Sequence, residues 1–235
     1  MTNFLALDTS TEFLSIALQK ADVRYAVDIL AGQSHSLMVL PQLQKLLESA
    51  DLALKDLQGI VFGAGPGSFT GVRIAVGITQ GLAFGAKLPV LGVCTLKALA
   101  EASGADKVIA CLDARMGEVY HAVYIRTKAN QQSSAWQEAI APGLYKPDAV
   151  PTVEGASWVG VGSGWQTYGG ELTSSYGKQI IAIQPKIMPT ASAMLNIALP
   201  MLAAGEGLPA SEAMPIYIRN RVALKTVERK QGLRL

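Results

Sequence analysis

The sequence predicts an α/β protein made of two related, strand-rich halves, and three observations carry that reading. Apolar residues make up 50% of the 235 and charged residues 16%, with 23 glycines and only 6% aromatics. That is enough apolar surface for a core without cross-links, and the wrong composition for a disordered chain or a coiled coil. Short apolar runs alternate with helix-period segments through the first half. One opening also occurs twice, an apolar strand ending in aspartate, a polar turn, an acid and a second strand. It is Leu5-Ala6-Leu7-Asp8 with Glu12 and residues 13–18, then Val108-Ile109-Ala110-Cys111-Leu112-Asp113 with Glu118 and residues 119–125. A repeat of this kind implies a duplicated architecture with a cleft between the halves, here residues 1–105 and 106–235.

In order, residues 4–7 read as a buried strand running into the polar turn Asp8-Thr9-Ser10-Thr11, and 13–18 and 23–30 as two further strands. Leu37, Leu40, Leu43, Leu46 and Leu47 have helical spacing, so a helix spans 34–50, capped by Ser34 or Ser36, with Pro41 in its first turns. Residues 59–62 form a strand, 63–71 a glycine loop, 71–86 a helix, 89–93 a strand and 95–102 a helix. The second half is less regular. After the strands 108–113 and 119–125 come a loop or hairpin tip at 130–134, a strand at 158–162 ending in a glycine turn, and a helix at 191–204 interrupted by Pro200.

Charge and cysteine usage narrow the function classes. The net charge of +2 is too small to indicate nucleic-acid binding from the bulk. From Arg219 to the end, however, six basic residues face one acid, so the tail carries +5 and the rest −3. Such a tail is either a solvated terminus or a contact for phosphate or an acidic partner. Cys94 and Cys111 lie in apolar stretches and imply a reducing, cytoplasmic setting. Met1-Thr2-Asn3 lacks the basic start of a signal peptide, and the most apolar stretch, 74–96, is broken by Thr79, Gln80, Lys87 and Pro89.

The strongest motif is Gly63-Ala64-Gly65-Pro66-Gly67-Ser68-Phe69-Thr70-Gly71, between a strand and a helix. Its backbone N–H groups can cradle an anion, or the glycines can simply allow a tight turn. It matches neither the dinucleotide fingerprint nor the Walker A loop. Asp8 can hold a metal or water near a phosphate, or cap its own turn. Gly162-Ser163-Gly164-Trp165 can approach a nucleotide or start a helix. His35 and His121 are the only histidines, and no H-x-x-x-H, H-E-x-x-H or G-x-S-x-G occurs, so zinc and serine hydrolysis lack their usual residues. Gly77, Gly81 and Gly85 share one helix face at a cost of roughly 2–3 kcal/mol in helix propensity. Close approach of another backbone offsets such a cost, supplied by the chain's own sheet or by a helix of another subunit.

Four blocks together resemble the TsaB (YeaZ) family: 5–10, 65–73, 113–120 and Pro215-Ile216-Tyr217-Ile218-Arg219-Asn220. The resemblance implies a two-lobed actin-like fold of the ATPase and sugar-kinase superfamily, in its glycoprotease branch. It also implies a subunit of the machinery that places threonylcarbamoyl on the adenosine beside the anticodon of ANN-decoding tRNAs. The implied role is a non-catalytic scaffold and activator of the paralogue TsaD, helped by the ATPase TsaE, with a homodimer when alone. TsaD holds its metal with an H-x-x-x-H pair, and the matching positions here are Thr95 and Leu99, so no metal site is implied. The nucleotide-contact residues are Asp8, Arg115, Gly162, Ser163 and Gly164, and the partner-surface residues Leu37, Leu40, Gly71, Val72, Ala75, Gly77, Ile78 and Gly81. No cofactor is required, with weak ATP or ADP binding at the subunit junction left open, and tRNA is reached indirectly or through the tail. The rival readings are an ATP-dependent phosphotransferase and a metallopeptidase of the same superfamily.

Overall fold

The computed structural model describes residues 2–127 and 135–219. The expected hairpin tip at 130–134 and the basic tail beyond Arg219 lie outside the described residues. Two five-stranded mixed sheets carry the fold. The first contains β1 (Asn3–Asp8), β2 (Phe13–Lys20), β3 (Val23–Leu30), β4 (Gly59–Gly65) and β5 (Val90–Cys94) in the order β3-β2-β1-β4-β5. The second contains β6 (Lys107–Arg115), β7 (Glu118–Thr127), β8 (Ala135–Tyr145), β9 (Trp158–Val161) and β10 (Ile180–Gln184) in the order β8-β7-β6-β9-β10. The two orders are the same when the strands of each half are counted from its start. The duplication inferred from the two aspartate strands therefore extends to the whole sheet.

Helices close both faces of the first sheet. α1 (His35–Ser49) and α2 (Phe69–Ala86) cover one face, with Val39, Leu43, Leu46, Val72, Ala75 and Val76 packed on Leu5, Leu7, Ile16 and Ile60. The other face carries α6 (Ala191–Ala203), through Met194, Leu195 and Ala198 against Ala6, Ala17 and Val61. α3 (Thr95–Ala102) crosses the other way, and Leu96 and Leu99 pack on Val108, Ala110 and Tyr124 of the second sheet. Each half thus lends its last helix to the junction between the lobes, and the segment after β10 returns to the first sheet. A single cut at residue 105 does not describe that exchange. On the outer side of the second sheet, the short α4 (Ser163–Thr167) and α5 (Gly169–Tyr176) bury Trp165, Leu172 and Tyr176.

β8, β10 and α5 go beyond the sequence reading, and α4 is the helix start offered as one reading of Gly162-Ser163-Gly164-Trp165. β8 contains Pro142 and Gly143, and its pairing with β7 shifts register twice, so it lacks a strand's regular alternation. β10 lies at the sheet edge, with Ile181 66% exposed, so it too lacks a core-facing alternation. Among the described residues no helix is long and apolar enough to cross a membrane.

Candidate functional site

In open α/β sheets, ligands gather beyond the carboxyl ends of the parallel strands. In the first lobe that position holds Asp8, at the end of β1, and the glycine loop leaving β4. The loop fills it. Asp8 is fully buried, and its carboxylate accepts from the backbone N–H of Ser10 at 3.2 Å and from Ser10 Oγ at 2.8 Å. A Cβ on Gly63 would overlap Asp8 Oδ1, one on Gly67 would overlap the Ser10 carbonyl, and one on Gly71 would overlap the Thr9 carbonyl. Thr9 Oγ1 donates to the Gly71 carbonyl at 2.7 Å, and the Ser68 N–H to the Ser10 carbonyl at 2.7 Å. The glycines therefore serve close backbone approach to the Asp8 turn. Ser68 caps α2 by accepting from the Gly71 N–H at 3.3 Å. Burial pushes the Asp8 carboxyl up to about 6, against the smaller, opposite effect of the Ser10 and Thr9 hydrogen bonds.

The second lobe is open at the matching place. Asp113 accepts from the Arg115 N–H at 2.8 Å and pairs with the Arg115 guanidinium at 3.3 Å, and the Arg115 side chain is 87% exposed. The tip between β6 and β7 puts Arg115, Met116 and Gly117 in the left-handed region, at φ +63, +59 and +74°. For a residue with a Cβ that conformation costs roughly 1–2 kcal/mol. Ser163 Oγ accepts from the Asp113 N–H at 3.1 Å. A Cβ on Gly162 or Gly164 would press on Cys111 of β6, so these two glycines let α4 start against the strand. Two cavities lie elsewhere, one lined by Asp148, Gly170, Glu171, Ser174 and Ser175, the other by Phe4, Gln58, Pro89, Leu202 and Gly207. The second sits at the amino ends of the parallel strands, opposite Asp8.

Of the residues named for nucleotide contact, Arg115 alone is freely exposed. Asp8 is sealed, and Gly162 and Gly164 pack on their own lobe. The positions that match the paralogue's metal ligands are also interior. Thr95 and Leu99 are both fully buried, Leu99 among aliphatic side chains. Among the described residues no three His, Cys, Asp or Glu side chains come together as a ligand set. His121 is buried against Tyr176, 2.6 Å from its hydroxyl, and burial lowers its pKa to about 4.

The partner-surface residues divide. Gly71, Val72 and Ala75 are buried on the inner face of α2 and present nothing to another molecule, and Ile78 is partly buried on the same core. A helix covering a sheet must turn one face inward, and these residues lie on it. Gly77, Gly81 and Gly85 face open space, with no atom within 4 Å of a Cβ built on them. The stripe is thus not packed on the chain's own sheet. Beside it Leu37 is 77%, Leu40 52% and Phe84 82% exposed.

The C-terminal stretch joins the two aspartate turns. The Ile216 N–H donates to the Ala64 carbonyl at 2.7 Å, and Arg73 lies 3.3 Å over the Phe69 ring and 5.0 Å from that of Tyr217. Arg219 then reaches the second lobe, pairing with Glu118 at 2.7 Å and donating to the Ala114 carbonyl at 3.0 Å. Charge counting had placed Arg219 in the tail, and sequence spacing gave no sign of these contacts.

The four sequence blocks that resemble one family are therefore one connected structure, and comparison with known proteins agrees. The family model described as "TsaD: tRNA N6-adenosine threonylcarbamoyltransferase" matches residues 27–157. The tRNA threonylcarbamoyladenosine biosynthesis protein TsaB of Escherichia coli is 38% identical over 97% of this chain and 99% of its own length. The protein of the same name from Haemophilus influenzae is 36% identical over 94% of this chain and 95% of its own. The chain belongs to the TsaB family. A solved structure, YeaZ from Pseudomonas aeruginosa, superposes with a TM-score of 0.84 at 36% identity, covering 92% of this chain and all of that one. The two-lobed actin-like fold is thereby shown.

Proposed function

We propose that this chain is a non-catalytic subunit of the cytoplasmic machinery for threonylcarbamoyladenosine formation in tRNA, acting as the scaffold and activator of a TsaD subunit together with TsaE. The observation that carries this is the sealed first-lobe site. A superfamily phosphotransferase needs its first-strand aspartate facing a phosphate, and here Asp8 is covered by its own glycine loop. The metallopeptidase reading fails on donor chemistry, because a buried threonine and a leucine occupy the ligand positions. The relatives' names supply the pathway. The scaffold reading requires no cofactor of the chain's own, and a nucleotide at the subunit junction would meet Arg115 rather than Asp8.

The outer face of α1 and α2 supplies the pairing surface. Leucines and Phe84 offer apolar area, at ~25 cal/mol per Å² buried, while Gly77 and Gly81 let a partner helix come close. The same face would support the homodimer when TsaD is absent. The test is reconstitution of tRNA modification with TsaD and TsaE, with and without this chain, beside ATP turnover by the chain alone. Modification that depends on the chain, with no turnover alone, supports the reading. Modification at full rate without it overturns the reading. Gly81→Leu should abolish pairing and leave the monomer folded, because the added side chain enters open space in the monomer.

A further inference from the structure

The geometry points to Arg219 as a positioning residue. It clamps the tip of the β6–β7 hairpin so that Arg115 and Met116 are held out as a fixed contact for the partner subunit. The partner half of this inference rests on the scaffold reading above; the clamp itself does not.

The tip is an unusual piece of backbone to leave unsupported. Arg115 and Met116 both carry a Cβ and both sit at positive φ, followed by Gly117. The register of β6 on β7 also shifts between Asp113 and Arg115. Such backbone persists where its surroundings over-determine it. Asp113 does so through the N–H and guanidinium of Arg115, and the Tyr168 hydroxyl meets the Gly117 backbone. A further support comes from a hundred residues away. One guanidinium, with its side chain 11% exposed, touches the turn on both flanks and at its centre: the Ala114 carbonyl at 3.0 Å, Met116 Sδ at 3.2 Å and the Glu118 carboxylate at 2.7 Å. The planar fork of arginine can meet a carbonyl and a carboxylate at once, whereas lysine offers a single point of charge.

Arg219 is itself anchored to the other lobe. Ile216 is hydrogen-bonded to Ala64, and Tyr217 lies 6.4 Å from Phe69, with Arg73 over both rings. The clamp therefore holds the second-lobe tip in register with the start of α2. Phe69 and Arg73 there continue the exposed stripe of Gly77 and Gly81 at four-residue intervals. Outward from the clamp stand Met116, 56% exposed, and Arg115, so the tip presents apolar area and a cation beside the helix face assigned to pairing. The partner this fits is a subunit that brings a carboxylate to Arg115 and apolar area to Met116.

The experiment uses the full chain as wild type, Arg219→Ala, Arg219→Lys, Arg115→Ala and the Arg219/Arg115 double alanine variant. Hydrogen exchange should be about tenfold faster at 114–118 in Arg219→Ala, with 109–112 and the melting temperature unchanged and Arg219→Lys between the two. Titration with TsaD should show Arg219→Ala weakening binding about tenfold, and Arg115→Ala adding little in that background, because an unclamped Arg115 is no longer in place. Unchanged protection at the tip overturns the clamp. A loosened tip with unchanged affinity, or fully additive losses, overturns the positioning role. If wild type does not bind TsaD at all, the scaffold reading and the partner half fail together, and the exchange result still decides the clamp.

Discussion

The two lobes make the same turn and put it to opposite uses. Asp8 and Asp113 each end an apolar stretch in the first strand of a lobe. Each accepts the backbone N–H two residues on and, through its other oxygen, that same residue's side chain. In the first lobe that residue is Ser10, small and buried, and the loop 63–71 lies over it. In the second it is Arg115, which points to solvent, and only Gly162 separates β9 from α4, whose start packs beside the strand rather than over it. One side chain and a few loop residues thus decide whether the aspartate is entombed or becomes the root of an exposed contact. The position at the carboxyl ends of the first lobe's parallel strands is closed, and the exposed tip is that of the second lobe.

The largest expected effects test the closure. Gly71→Ala drives a Cβ into the Thr9 carbonyl, a backbone atom that cannot swing aside, and should destabilise the chain by about 3 kcal/mol or more in urea unfolding. Gly164→Ala meets the Cys111 Cβ at 2.7 Å and should cost about 1–3 kcal/mol. A tolerated Gly71→Ala would mean that the first loop is not sealed.

Charge is the next contrast. The Asp8 carboxyl is raised from 3.8 to about 6 by burial. A raised folded pKa favours the fold below the unfolded value, and that contribution is lost as pH climbs through 6. Asp8→Asn removes the burden and can keep both contacts to Ser10. It should stabilise the protein at pH 8 by on the order of 2–3 kcal/mol and make no difference below pH 4. His121 works the other way: lowered from 6.5 to about 4, it loses stability for the fold as pH falls from 6.5 to 4. Wild type should therefore be nearly flat between pH 4 and 6, and Asp8→Asn should slope downward toward acid. Asp113→Asn, which breaks only the pair with exposed Arg115, should cost less than about 1 kcal/mol.

Much of this was legible in the sequence, and the gaps have physical reasons. Apolar runs and the repeated strand-aspartate-turn were readable because a strand buried on both faces leaves little freedom of composition, as in the wholly buried β1 and β4. The glycines were not readable. A glycine reports that something comes close, and the sequence does not say whether it is the chain's own backbone, a ligand or a partner. Gly63 and Gly71 meet the chain itself, Gly162 and Gly164 meet β6, and Gly77 and Gly81 meet nothing in the monomer. The role of Arg219 was hidden for a related reason, since its three contacts are about a hundred residues away.

The smallest expected effect sharpens the comparison within one helix. α2 carries Gly71 pressed under Thr9 and, ten residues on, Gly81 in the open. If the open glycines were there to pack on the monomer, alanine would crowd them. With no atom within 4 Å of the added methyl, Gly81→Ala should instead gain the helix propensity that glycine forgoes, about 0.5–1 kcal/mol, and raise the melting temperature by a few degrees. The gain should be confined to the monomer, measured at dilution or with the dimer dissociated. Where a second helix lies against the stripe, the same methyl takes space that the partner's backbone needs, so dimerisation should weaken while the monomer grows more stable. Opposite signs in the two measurements are the signature of a glycine kept for a partner. A loss in both would place Gly81 with Gly71, as a residue the chain needs for itself.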